Sequence, residues 1–161
     1  MKSYMKMKMK VEYKKASLND IEVMQELVYD EVESGVILER SSDEMATNIR
    51  SYILAYVDEK LAGFCALHIH TTSLAEIRSL IVNEVYRGNR IGANLIYKCV
   101  DEAKTLGLEK VLSLTYKQSF FENLGFIEIP KESLPEHKIW ADCIKCKHFP
   151  ICNEVSLIKN L

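Results

Sequence analysis

The chain has 161 residues, 48% of them hydrophobic and 27% charged, the usual size for one domain with one real core. Its formal net charge is −2, with acids and bases interspersed. That argues against a protein that coats nucleic acid or an anionic membrane through its overall field, so an anionic ligand must be met by local cations.

The start, "MKSYMKMKMK", is basic but has no apolar run behind it. It does not read as a secretory signal, and no stretch approaches the roughly 18 apolar residues of a membrane span. A cytoplasmic protein is expected. In a reducing compartment its five cysteines are not expected to pair. Cys65 and Cys99 sit singly in apolar runs and read as small core residues, while Cys143, Cys146 and Cys152 cluster near the C-terminus.

"VEYKKAS" alternates as a short strand. Ser17 and Asp20 have capping-box spacing, and Ile21, Met24, Leu27, Val28 and Val32 follow at helical spacing until Gly35. A second box, Ser41 with Glu44, opens a helix through Met45 and Ile49 that is expected to end near Ser51. "ILAYV", "LAGFCALHIH" and "LAEIRSLIV" read as a three-strand meander joined through "DEK" and "TTS". Ile91, Leu95, Ile96, Cys99, Ala103 and Leu106 form one helical stripe ended by Gly107. "KVLSLT" is a further strand, "SFFENLG" a short helix, and "FIEI" a last strand running into Pro130. The order β-α-α-β-β-β-α-β-α-β is an α/β or α+β layout around a central sheet. Residues 1–161 are expected to form one domain, with 137–161 a cysteine-containing extension.

"VYRGNRIGANL" packs Arg87, Gly88, Arg90 and Gly92 at the mouth of the third long helix. A helix N-terminus has unpaired N–H groups and the positive end of the dipole, and glycines let an anion approach the backbone. The plainer alternative is a solvated turn with two surface arginines.

Strand "SLIVN", loop "EVYRGNRIG", amphipathic helix, strand "VLSLT" and "FFENLGF", in this order over roughly residues 9–129, resemble the GNAT acetyltransferase superfamily. The resemblance implies a mixed, mostly antiparallel sheet flanked by helices. It also implies that Arg87, Gly88, Asn89, Arg90, Ile91 and Gly92 form the loop that binds the pyrophosphate of acetyl-CoA. Arg90 stands where the first glycine of that signature is usual. The backbone of Leu80, Ile81 and Val82 would hold the pantetheine arm and the acetyl oxygen.

An acceptor amine is mostly protonated at neutral pH, with a pKa of about 8, so a base must take its proton. Glu76 is the candidate, and "AEIRSLIV" is similar to the strand that carries the glutamate base in histone-acetylating members. Its plainer reading is a surface glutamate. Strand alternation puts Glu76, Arg78, Leu80 and Val82 on one face. His68 and His70 share a face of the preceding strand, as proton relays or as hydrogen-bonded fittings of the sheet. Phe121 stands where many members carry a tyrosine general acid, which leaves Tyr116 as the substitute.

"GVILERS" with Arg40, "AEIRSLIVNEVYRG" and the tail "LPEHKIWADCIKCKHFPICNEV" resemble short amino-acid acetyltransferases of the N-acetylglutamate synthase type. The implied reaction is direct attack of the α-amine of L-glutamate on acetyl-CoA, a step toward arginine. Arg40 and Arg78 would clamp carboxylates, since a guanidinium fork matches a carboxylate; otherwise they are surface ion-pair partners. Another small amine, a peptide N-terminus, or a noncatalytic acetyl-CoA sensor are the alternatives. No nucleic-acid or membrane partner is expected, and the superfamily habit of pairing leaves a homodimer open.

Cys143, Cys146 and Cys152, with His148 between them, have a spacing that suggests a tetrahedral zinc shell. Reduced, packed thiols are the equal alternative.

Overall fold

The computed structural model describes residues 9–135, 142–148 and 153–161. The elements are β1 (Val11–Lys15), α1 (Ile21–Glu33), α2 (Ser42–Thr47), β2 (Tyr52–Val57), β3 (Lys60–Ile69), β4 (Leu74–Val82), α3 (Ile91–Leu106), β5 (Lys110–Thr115), α4 (Gln118–Glu122), β6 (Ile127–Ile129) and β7 (Val155–Asn160). The strands make a seven-stranded sheet in the order β1-β2-β3-β4-β5-β7-β6. Only β4 and β5, joined across α3, run parallel among these pairings.

Local chemistry sets the boundaries. The Ser17 amide donates to Asp20 Oδ2 at 2.7 Å ahead of α1, and the Glu44 amide donates to Ser41 Oγ at 3.1 Å in α2. Gly35 and Gly107 adopt φ of +77° and +85° and stop α1 and α3 in the same way. The amides of Val36 and Leu108 reach back to the carbonyls of Glu31 and Ala103, closing carbonyls that a helix end leaves open. Asp58 and Glu59, both left-handed, form the two-residue turn expected at "DEK". The second helix stops at Thr47, earlier than expected, and a 3₁₀ turn over Ile49–Ser51 completes the path to β2.

Two cores sandwich the sheet. Ile91, Leu95, Ile96, Cys99, Val100 and Ala103 of α3 pack onto Ile53, Ala55, Leu67 and Ile77, while Met24 and Val28 of α1 and Met45 of α2 cover Leu54, Phe64 and Ala66 on the other face. Burying a side chain such as Leu95 or Ile96 stabilises by about 2 kcal/mol.

Two further features depart from the sequence reading. In β4, Ser79 is left-handed (φ +57°), and the ladder jumps from Phe64–Ile81 to Ala66–Arg78, so Ser79 and Leu80 stand opposite Cys65. This bulge inverts the alternation. Glu76 and Arg78 face the α1/α2 side, but Leu80 and Val82 pack against the α3 core and Ile81 takes the α1 side. The expected single face of Glu76, Arg78, Leu80 and Val82 therefore ends at Arg78. Second, β7 from the C-terminal segment inserts between β5 and β6, where Leu157 is buried in the α3 core.

Candidate active site

The parallel β4–β5 ladder covers only Leu74–Ile77 against Lys110–Ser113. Beyond it the strands part, and a cleft of about 370 Å³ opens between them. Leu80, Ile81, Val82 and Tyr116 line it, together with Arg87 beyond the C-terminal end of β4 and with Glu76, Arg78 and Arg40. With its β5-side ladder gone, the edge of β4 turns backbone groups toward the cleft.

At the loop into α3, Arg87 folds back so that its Nε donates to the Val82 carbonyl at 3.3 Å. Gly88 has φ +83° with open space around it, so glycine is needed for the backbone angle alone. Asn89 spends its side-chain amide on the Tyr86 carbonyl at 2.9 Å, bracing the turn. Arg90 is left-handed (φ +60°) directly before α3. It meets the conformation for which a glycine is suited, at a cost of about 1 kcal/mol. The Ile91 side chain anchors in the core, and a Cβ on Gly92 would meet the Phe120 ring at 3.4 Å. The Asn94 amide makes the first intrahelical bond, to Arg90 O at 2.9 Å. The amides of Ile91, Gly92 and Ala93 precede it and have no partner within the helix.

On the α1/α2 face, Glu76 is 3% exposed and its Oε1 lies 2.8 Å from His70 Nε2. The His68 ring packs edge-on against His70, and its Nδ1 accepts from Arg78 Nη2 at 2.9 Å. Burial, aided by the Arg78 charge, pushes the His68 pKa down to about 4. His68 is thus a neutral fitting of the arginine near neutrality and a poor base.

Asp142 was not singled out in the sequence, yet it joins the two candidate clamp residues. Its Oδ1 binds Arg40 Nη1 and its Oδ2 binds Arg78 Nη1, each at 2.8 Å. Arg40 also holds Glu44 at 2.9 Å. Burial works against the Arg40 charge, but Asp142 and Glu44 outweigh it and raise its pKa above the ordinary value. The readable signal was the aspartate beside the cysteine pair in "WADCIKC"; its partners lie more than sixty residues away in sequence.

Tyr116 is 43% exposed, with its ring centroid 6.4 Å from that of His148. Phe121 is buried at the cleft floor against Phe120 and Phe126. Lys117 also lines the cleft, a cation the sequence did not single out. The zinc shell does not assemble from Cys143, Cys146 and His148: the described residues contain no group of three such ligands. His148 packs against Tyr116 and beside Gly35, while Cys143 and Cys146 line the cleft. Cys152 lies outside the described residues.

A family profile described as "Acetyltransferase (GNAT) family" matches residues 17–126. The chain belongs to the GNAT acetyltransferase family. An uncharacterized N-acetyltransferase of Chlorobaculum tepidum is 34% identical over 91% of this chain and 94% of its own. An amino-acid acetyltransferase of Mycobacterium tuberculosis is 28% identical over 72% of this chain and 68% of its own. In structure, the GNAT chain is similar to N-acetylglutamate synthase from Neisseria gonorrhoeae complexed with coenzyme A and N-acetyl-glutamate, with a TM-score of 0.84 at 23% identity. That likeness covers 94% of this chain but 35% of the longer Neisseria chain, and it shows the fold.

Proposed function

We propose that this GNAT protein transfers the acetyl group of acetyl-CoA to the α-amine of an amino acid, with L-glutamate the favoured acceptor and N-acetyl-L-glutamate, toward arginine, the product. The observation that carries the reading is the parted β4–β5 cleft, bounded by the Arg87 loop in one part and by buried Glu76 with Arg40 and Arg78 in another.

Acetyl-CoA supplies a thioester. The open amides at the start of α3, with the cations Arg87 and Arg90, suit its pyrophosphate. Gly88 and left-handed Arg90 give the loop its curl, Asn89 braces it, and Ile91 and Gly92 seat it on the core. The backbone of Leu80, Ile81 and Val82 guides the pantetheine arm and offers N–H groups to the acetyl oxygen as charge develops.

Glu76 takes the proton of the acceptor amine, its carboxylate aimed by His70. The amine nitrogen then bonds to the acetyl carbon, the carbon–sulfur bond breaks, Tyr116 gives a proton to the leaving thiolate, and the surplus proton on the acylated nitrogen leaves to solvent, which restores Tyr116. Arg40 and Arg78 receive the acceptor's carboxylate.

The test is thiol release from acetyl-CoA by purified protein against a panel of amino acids. Turnover greatest with L-glutamate supports the proposal. Coenzyme A binding without turnover on any amine contradicts it and favours a sensor.

A further inference from the structure

We infer that Asp142 is an internal occupant of the acceptor's carboxylate subsite, and that an acceptor gains entry by bringing a carboxylate that displaces it; this rests on the acceptor reading above.

The geometry is that of a bound carboxylate, each oxygen on a different guanidinium at 2.8 Å. The three side chains are 10%, 11% and 9% exposed, so the cluster is nearly dry. Both arginines belong to the scaffold: Arg78 is on β4, and Arg40 sits two residues before α2, where it also holds Glu44. Asp142 comes instead from the 142–148 segment, which reaches α1 through Lys147 Nζ on the Glu33 carbonyl at 3.0 Å. Arg40 Nε is buried without an acceptor among the described residues, so the guanidinium is not saturated by Asp142 and Glu44.

Two buried cations without a counter-ion are strongly unfavourable, so the subsite holds a carboxylate at all times. Among the described residues Asp142 and Glu44 match Arg40 and Arg78 charge for charge, so a further anion gains little by adding to the cluster with Asp142 still seated. Exchange of one carboxylate for another keeps the same charge-assisted bonds, so displacement costs the release of the segment and the freedom that the incoming acceptor gives up on binding. Every amino acid, glutamine included, carries an α-carboxylate, so the subsite is assigned to the carboxylate of the acceptor's side chain, and the neutral side chain of glutamine cannot make this exchange. Selectivity for an acidic acceptor follows from the tail as well as from the arginines.

Asp142 adjoins Cys143 and lies near Cys146, both lining the cleft, so its release alters exposure of those thiols. The experiment measures alkylation rates at Cys143 and Cys146 by mass spectrometry in the full chain, with and without glutarate, an unreactive dicarboxylate. Glutarate is expected to raise both rates in the unaltered protein. Asp142→Asn, with Asp142→Ser as the second variant, is expected to raise them without glutarate and to abolish the response. In the same variants KM for L-glutamate is expected to fall at least about fivefold, a gain near 1 kcal/mol, with KM for acetyl-CoA unchanged and no gain for glutamine. Unchanged or slowed alkylation with glutarate overturns the inference, as does a raised KM for glutamate, which would make Asp142 a fixed strut. Absence of turnover with glutamate overturns the acceptor reading, while the glutarate response of the unaltered protein still decides the displacement.

Discussion

Arg78 donates through Nη2 to Nδ1 of His68 at 2.9 Å, a diagonal contact that ties the α1/α2 face of β4 to that of β3 at the register partner of Glu76. The bond requires His68 to be unprotonated at Nδ1, in keeping with a pKa pushed from 6.5 down to about 4 by burial and by Arg78.

A pH dependence follows. The unfolded chain takes up a proton on His68 below its ordinary pKa while the folded chain does not, so the stabilisation is complete above about 6.5 and is lost as pH falls toward 4. Urea midpoints measured across that window are expected to decline for the unaltered protein and to decline less for His68→Gln. Parallel slopes in the two proteins would show that His68 carries no such linkage.

Glu76→Gln keeps the size of the side chain and a hydrogen-bonding partner for His70, but removes the proposed base. Turnover is expected to drop by about 10²–10⁴, with coenzyme A affinity retained by calorimetry. A variant of near-normal rate would remove Glu76 from the chemistry.

The proposed cofactor loop separates charge from conformation. Arg87→Ala is expected to raise KM for acetyl-CoA roughly tenfold, in line with loss of a charge-assisted contact, and to leave stability nearly unchanged. Gly88→Ala meets no neighbour but keeps a φ of +83°, so it is expected to cost about 1 kcal/mol in unfolding free energy. Equal effects of the two on KM and stability would contradict this division.

Gly63 lies across from the end of β4, and a Cβ there would stand 2.6 Å from the Ile81 carbonyl oxygen. Gly63→Ala must push β4 outward where Leu80–Val82 border the cleft. A stability loss of about 1–3 kcal/mol is expected, with a raised KM for acetyl-CoA. Unchanged denaturation and kinetics would mean that the strand has room to spare.

The helices and the meander were legible because local chemistry and tertiary burial agree there. The α3 stripe from Ile91 to Ala103, the stops at Gly35 and Gly107 and the turn at Asp58–Glu59 each carry their own signal within a few residues, whereas Leu106, expected in the stripe, is 56% exposed at the helix end. The bulge at Ser79 was not legible: its left-handed angle is imposed by pairing across β3, and it reverses which side chains face which core. β7 was hidden because its partners, β5 and β6, come from distant parts of the chain. Glu76 and the two arginines stood out through the resemblance of "AEIRSLIV" and "GVILERS" to segments of acetyltransferases. Asp142 did not, since its role exists only once the tail folds against Arg40 and Arg78.

The most direct test is a crystal structure of the protein with coenzyme A bound. The account predicts the pyrophosphate on the amides of residues 87–92 and the thiol in the gap between β4 and β5, within reach of the Glu76 side. Coenzyme A held elsewhere, with that loop empty, would contradict it.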